Sequence, residues 1–358
     1  MVPDNRPSDT PELIGWVGPV FTEHLPPHLR LLLLTDGKRI SSVLHVVTTL
    51  GVADELARGP RTVPELAASL NCDEQALHRV LRVAAGFGVF TETAEGGFAQ
   101  TELSEYLRRD NPDSQRDLVL YNGHDLVWQS YGELLYTVKT GKPAFDKLLG
   151  HSFFDHLEQD PETGRLFDRA MNQMSRATGQ LLADAHDFSQ YATIADVGGG
   201  SGYFLAELLR ANPAGTGILV DLPLVVDQAG PVFTTAGVRE RVRLCAADFF
   251  ADPIPEADAY VLKAVLHDWR DEDALRILRQ VRLAMSDRPQ ARLLIGEFLV
   301  GPANQWDRGR LLDMDMLLRF GGLERDLVQW RALLHRAGLR IVNDPAPGRW
   351  AVLECAIG

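Results

Sequence analysis

Residues 194–202 read Ile194-Ala195-Asp196-Val197-Gly198-Gly199-Gly200-Ser201-Gly202, and a helical run begins at Tyr203. A short apolar strand that leads into clustered glycines and then a helix is the βα turn of an α/β fold. There the glycines let a ligand touch bare backbone at a helix N-terminus. Outward from this turn the texture alternates. Strand-like runs fall at 193–197, 217–220, 242–246, 259–265 and 292–299, with helical runs at 203–211, 225–236 and 271–285. That order predicts a doubly wound, Rossmann-like parallel sheet over residues 186–358. Helical stretches near 308–318 and 326–337 precede closing strands near 339–342 and 351–356.

Upstream the texture differs. In residues 1–105, Thr62 and Asp73 stand as caps before two short helices, and Leu77, Val80, Leu81 and Ala84 form an i, i+3, i+4, i+7 stripe. Two short strand-like runs at 89–92 and 98–101 follow, around Ala94-Glu95-Gly96-Gly97. Helix, helix, hairpin is a winged-helix outline, and winged helices often read DNA. Charge argues against that here: four arginines face nine acids between residues 40 and 105. A packing or homodimerisation role fits better. Residues 106–185 form a helical linker in which Tyr121, Trp128, Tyr131, Tyr136, Phe145, Phe153, Phe154 and Phe167 crowd together. They suit an apolar core that also walls a pocket for a flat organic molecule.

The 358 residues, 45% apolar and 24% charged, fit about two soluble globular domains. A net charge of −13 disfavours nucleic acid and anionic lipid as partners. Cys72, Cys245 and Cys355 lie far apart and form no disulfide framework. With no leader-like run in residues 1–12 and no apolar stretch near the ~20 residues of a membrane span, a cytoplasmic protein is expected.

The nucleotide site sharpens with Asp221, which ends the second strand where an acid can accept both ribose hydroxyls. A nicotinamide dinucleotide remains open at this point. Tyr203, where that fingerprint wants glycine, and the acid–aromatic pair Asp248-Phe249 favour another ligand. With Asp196, three acids end three adjacent strands. S-adenosylmethionine, which carries a sulfonium, an ammonium and no phosphate, suits such a carboxylate-rich site.

The fourth strand runs into Leu262-Lys263-Ala264-Val265-Leu266-His267-Asp268-Trp269. A histidine at the carboxyl end of a parallel strand faces the ligand crevice, and its ordinary pKa of ~6.5 suits a base. DVGGGSG, DLP at 221–223, ADFF at 247–250, LKAVLHDW at 262–269 and GGLERD at 321–326 occur in order. Together they resemble the small-molecule O-methyltransferases of plant phenylpropanoid and bacterial antibiotic pathways, over nearly the whole chain.

The resemblance implies a class I methyltransferase domain behind an N-terminal winged-helix dimerisation domain, using S-adenosylmethionine on an aromatic acceptor. It assigns the general base to His267, with Glu297 and Glu324 as supporting carboxylates. It assigns the cofactor to Gly198, Gly200, Asp221, Leu222, Asp248, Phe249 and Lys263, beside Asp196. The acceptor pocket falls on Trp128, Met171, Met174, Asp268, Met314 and Phe320. Independently of the resemblance, Glu297 on the neighbouring strand is placed to fix the imidazole tautomer. Asp326 departs from the threonine usual in the last motif, and residues 167–172 match their family signature only loosely.

No metal is expected. Asp313 and Asp315 stand two apart in a segment that reads as helix, so they point to different faces. A different reaction on the same scaffold remains a rival: N- or C-methylation, hydroxylation, decarboxylation or cyclisation.

Overall fold

The computed structural model describes residues 26–358; the stretch read for a leader and the start of the 1–105 unit lie outside them. The first unit is built on capped helices. The Thr62 side chain and Glu65 form a reciprocal capping box on the helix Val63–Leu70, and the Asp73 carboxylate accepts the Ala76 N–H at the head of Glu74–Gly86. Leu77, Leu81 and Ala84 are buried against Val47, Val52, Leu66, Phe90 and Phe98, with Val80 partly so. Strands β1 (Arg61–Thr62), β2 (Phe90–Glu92) and β3 (Gly97–Gln100) close the unit as an antiparallel sheet in the order β1-β3-β2.

The main sheet has seven strands: β4 (Thr193–Val197), β5 (Thr216–Asp221), β6 (Val242–Ala246), β7 (Ala259–Lys263), β8 (Arg292–Leu299), β9 (Leu339–Ile341) and β10 (Arg349–Ile357). Their order is β6-β5-β4-β7-β8-β10-β9. The first five are parallel, while β10 runs antiparallel between β8 and β9. The two closing strands are thus inverted in space relative to sequence. A short return from β9 lets β10 fill the gap without another crossover helix.

Strands β4, β7 and β8 are buried almost throughout, as apolar runs between two helical layers. One layer includes the helices Asp271–Ala284 and Leu327–Arg336, through Ile277, Leu278, Val281, Trp330 and Leu333. The other includes Tyr203–Ala211 and Pro223–Thr235, through Leu205, Leu209 and Phe233, joined by Leu182 from the end of the long helix Pro161–Asp184.

Between the two units lies an aromatic cluster. Phe153 meets Phe145, Phe167 and Phe320 edge to face at 5.0, 5.3 and 5.4 Å, and Tyr121 meets Phe167 at 5.5 Å. Four of the eight crowded aromatics, Tyr121, Phe145, Phe153 and Phe167, therefore form a core, while Tyr131 and Phe154 stay exposed. Among the described residues no helix is long and apolar enough to cross a membrane.

Candidate active site

The glycine turn lies at the carboxyl ends of β4 and β5. Gly198 has a left-handed φ of +71°, and a Cβ there would come within 3.0 Å of Val265 and 3.4 Å of Phe249. The carboxylate of Asp221 accepts the N–H of Gly200 and that of Leu222, each at 2.8 Å, so it anchors the turn as well as facing the crevice. Above Gly200 the space is open, and Leu222 is half exposed. Asp248 accepts the Phe250 N–H at 2.8 Å, and Phe249 packs edge to face on Phe250 and Trp269.

Asp196 is buried, and neither carboxylate oxygen has a hydrogen-bond partner among the described residues. Burial pushes its pKa up to about 7, against the pull of Lys263. Lys263 is half-buried and donates to Ser175 Oγ at 2.7 Å. An unpaired buried carboxylate is costly. A cationic ligand group would relieve it, and S-adenosylmethionine brings both an ammonium and a sulfonium. The residues present fit that cofactor.

Strand β7 stops at Lys263, two residues earlier than its apolar run suggests, because Ala264 adopts a left-handed φ of +51°. The turn Leu266–Asp268 then presents His267, which is 6% exposed. Its Nδ1 lies 2.8 Å from Glu324 Oε1 and 3.4 Å from Glu297 Oε2, while Nε2 lies 3.5 Å from Asp268 Oδ1. The expected division of labour between the glutamates therefore changes. Glu324 is the nearer carboxylate to Nδ1. Glu297 instead cradles the turn: its Oε1 accepts the N–H groups of Val265, Leu266 and His267 at 3.1, 2.9 and 3.3 Å.

Burial opposes charge on the imidazole, but Glu297, Glu324 and Asp268 outweigh it and raise the His267 pKa well above its usual 6.5. An imidazole held at Nδ1 by a carboxylate takes a proton at Nε2. The neutral base accumulates only as pH rises toward that raised pKa, so kcat/KM is expected to climb with pH through a midpoint well above 6.5. Glu324→Gln removes one negative charge, lowers the pKa and shifts the rising limb to lower pH. A pH–rate profile of both proteins checks this, and coincident limbs contradict it.

His267, Glu297 and Glu324 also bring one ligand atom each within 4.8 Å of one another, a spacing open to a metal ion. A metal at Nδ1 would have to displace the bond to Glu324, and Glu297 Oε1 is already shared by three amides. Asp313 and Asp315, on the helix Gly309–Arg319, face apart: Asp313 accepts the Glu324 N–H at 2.9 Å, and Asp315 accepts the Tyr131 hydroxyl at 2.6 Å. Turnover is expected to survive exhaustive EDTA treatment and dialysis. Loss that returns with magnesium or zinc would overturn this.

The residues expected at the acceptor pocket divide. Met171 and Phe320 join the aromatic core, Asp268 lies at the imidazole, and Trp128, Met174 and Met314 are half-buried.

Several functional contacts escape sequence reasoning. Along one face of Pro161–Asp184, Asn172 Oδ1 accepts from Ser201 Oγ at 2.6 Å, Ser175 accepts from Lys263, and Arg176 binds the Tyr203 hydroxyl while lying over its ring at 4.4 Å. One helix thus pins the glycine turn and β7 together. Buried Arg325 donates to the carbonyls of Leu266 and Trp269, each at 2.9 Å. The only signal for these was polar residues spaced three and four apart and the arginine inside GGLERD. Asp326 in place of threonine caps Leu327–Arg336 in a box with Gln329, so the departure preserves the cap.

A doubly wound sheet with β10 reversed, a glycine turn and acids at its strand ends, and a carboxylate-held histidine define a class I methyltransferase domain. Residues 131–340 match the O-methyltransferase domain family and residues 32–110 the O-methyltransferase dimerisation domain, so the chain belongs to the O-methyltransferase family.

It is 40% identical to 8-amino-8-demethylriboflavin N,N-dimethyltransferase of Streptomyces davaonensis, over 88% of this chain and 92% of that protein. It is 36% identical to phenazine O-methyltransferase PhzM of Lysobacter antibioticus, over 87% of this chain and 90% of that one. The crystal structure of an O-methyltransferase from neocarzinostatin biosynthesis, in complex with S-adenosylhomocysteine and 1,4-dihydroxy-2-naphthoic acid, matches at 32% identity. Its TM-score is 0.78, covering 93% of this chain and 100% of that one.

Proposed function

We propose that this enzyme methylates a hydroxyl group of an aromatic small molecule in secondary metabolism, of the antibiotic kind, with His267 as general base. The observation that carries this is the 2.8 Å contact between His267 Nδ1 and Glu324 at the carboxyl end of β7, beside the glycine turn.

S-adenosylmethionine supplies a methyl group on a sulfonium whose leaving group departs neutral. Asp196, Gly198, Gly200, Asp221, Leu222, Asp248, Phe249 and Lys263 hold it. Nε2 of His267 takes the hydroxyl proton as the new bond forms. A phenol has pKa ~10, and a base of ordinary pKa ~6.5 would accept its proton at a cost of roughly 5 kcal/mol. The carboxylates around His267 raise its basicity toward that of the phenol and narrow this mismatch. Glu324 keeps the proton on Nδ1, Glu297 keeps the turn in place, and the aromatic cluster around Phe153 and Phe320 keeps water out.

The domain division 1–105, 106–185 and 186–358 is supported by three apolar clusters, around Leu66, Phe153 and Ile295, with Leu107 joining the first and Phe320 packing on the second. The dimerisation-domain match supports a homodimer through the first unit, as do the exposed Leu31, Leu32 and Leu34. Three unpaired cysteines suit a cytoplasmic enzyme.

The test is incubation of the purified protein with S-adenosylmethionine and 1-naphthol. Mass spectrometry is expected to find S-adenosylhomocysteine and the methyl ether. The 40% identity to an N,N-dimethyltransferase favours N-methylation as the second reading. Methylation of 1-naphthylamine alone would select it.

Asp221→Ala is expected to raise the S-adenosylmethionine dissociation constant by about 10- to 100-fold, because a carboxylate acceptor is lost and the glycine turn loses its anchor. An unchanged constant by calorimetry would place the ribose elsewhere.

A further inference from the structure

Arg319 ends the helix Gly309–Arg319 and is 6% exposed. A guanidinium carries five N–H donors and is expensive to bury unpaired. Among the described residues Arg319 makes one ion pair, 3.3 Å to Asp315 Oδ1, and that oxygen already accepts from Tyr131. The guanidinium also lies over the ring of Tyr121, 5.0 Å from its centroid. The Tyr121 hydroxyl is buried and likewise has no hydrogen-bond partner among the described residues. Burial pushes its pKa up to about 12, so it keeps its proton as a donor.

A short stretch of chain ties Arg319 to the turn that carries His267. The chain leaves Arg319 through Phe320 and Gly321 to Gly322, which packs so closely on the His267 carbonyl and Asp268 backbone that no Cβ fits. Leu323 then donates its N–H to the same carbonyl at 2.9 Å. The charge of Asp268, next to Nε2 of His267, bears on both Tyr121 and Arg319.

Resting on the methyl-transfer reading above, we propose that Arg319 and Tyr121 form a carbonyl-recognising subsite, selecting acceptors with a neutral carbonyl oxygen beside the hydroxyl that is methylated. Charge decides between a ketone or quinone oxygen and a carboxylate. Asp315 already offsets Arg319, and Asp268, Glu297 and Glu324 crowd His267. A second anion on the acceptor would meet more negative than positive side chains. A neutral carbonyl accepts from both donors and adds no charge.

The test uses three probes on one scaffold: 1-naphthol, 2-acetyl-1-naphthol and 1-hydroxy-2-naphthoate. Their binding is measured by titration calorimetry with S-adenosylhomocysteine present, so that recognition is read apart from turnover. The ketone is expected to bind about tenfold or more tighter than 1-naphthol, the scale of a hydrogen bond from a charged donor. Arg319→Gln and Tyr121→Phe should each bring that ratio toward one. Tyr121→Phe removes a single oxygen and carries the test if Arg319→Gln does not fold.

No preference in the wild type, or a ratio that both variants leave intact, overturns the subsite. Tightest binding of the carboxylate, lost in Arg319→Gln, overturns the choice of a neutral carbonyl. A preference that behaves as expected, with no methyl transferred from S-adenosylmethionine to any probe, defeats the methyl-transfer reading and leaves the subsite standing.

Discussion

His267→Ala is expected to lower kcat by about 10²- to 10⁴-fold, the usual contribution of a positioned general base. The imidazole makes no contact with the glycine turn, and its partners are Glu324, Glu297 and Asp268. Affinity for S-adenosylmethionine should therefore persist while turnover collapses. Calorimetry beside a steady-state assay separates the two effects. Normal binding together with turnover near that of the wild type would remove His267 from the reaction.

Glu297→Ala should do more damage, and to the fold first. Its Oε1 is the acceptor for three consecutive N–H groups in a buried turn. Stranding buried donors costs about 1–3 kcal/mol each, against a total stability of about 5–15 kcal/mol for a domain. A fall in Tm of about 10 °C or more is expected, with activity lost because the turn that aims His267 is released. Glu297→Gln is the informative control. It keeps an oxygen for the three amides, so the fold should survive. What it loses is the negative charge 3.4 Å from Nδ1. A Glu297→Ala protein that melts with the wild type would show that the turn is held by something else.

The sheet was largely legible because its strands are apolar runs of fixed length between helices of clear period. Strands β4, β6 and β8 and the helix Tyr203–Ala211 fall where those runs predict them. The position of β10 was not legible, since a strand's direction leaves no mark in its own composition. The early end of β7 was hidden for a related reason: Ala264 takes a left-handed φ that alanine rarely adopts, and only the cradle from Glu297 explains it.

At the site, residue types were readable and their pairings were not. Glu297 and Glu324 are equally good carboxylates in sequence, and only the fold decides which one meets the imidazole. Asn172, Ser175 and Arg176 were invisible because polar residues on an amphipathic helix read as solvated. Here that face is turned toward the glycine turn.

The helix Pro161–Asp184 carries Met171 and Met174 as well as those three contacts to Ser201, Lys263 and Tyr203. An α-helix moves as one rod over such a span. Whatever settles against its methionines therefore acts on the same body that grips the glycine turn, and a ligand at that turn acts back through it. Thermodynamic reciprocity then makes the two affinities conditional on each other by one common factor, whichever ligand arrives first.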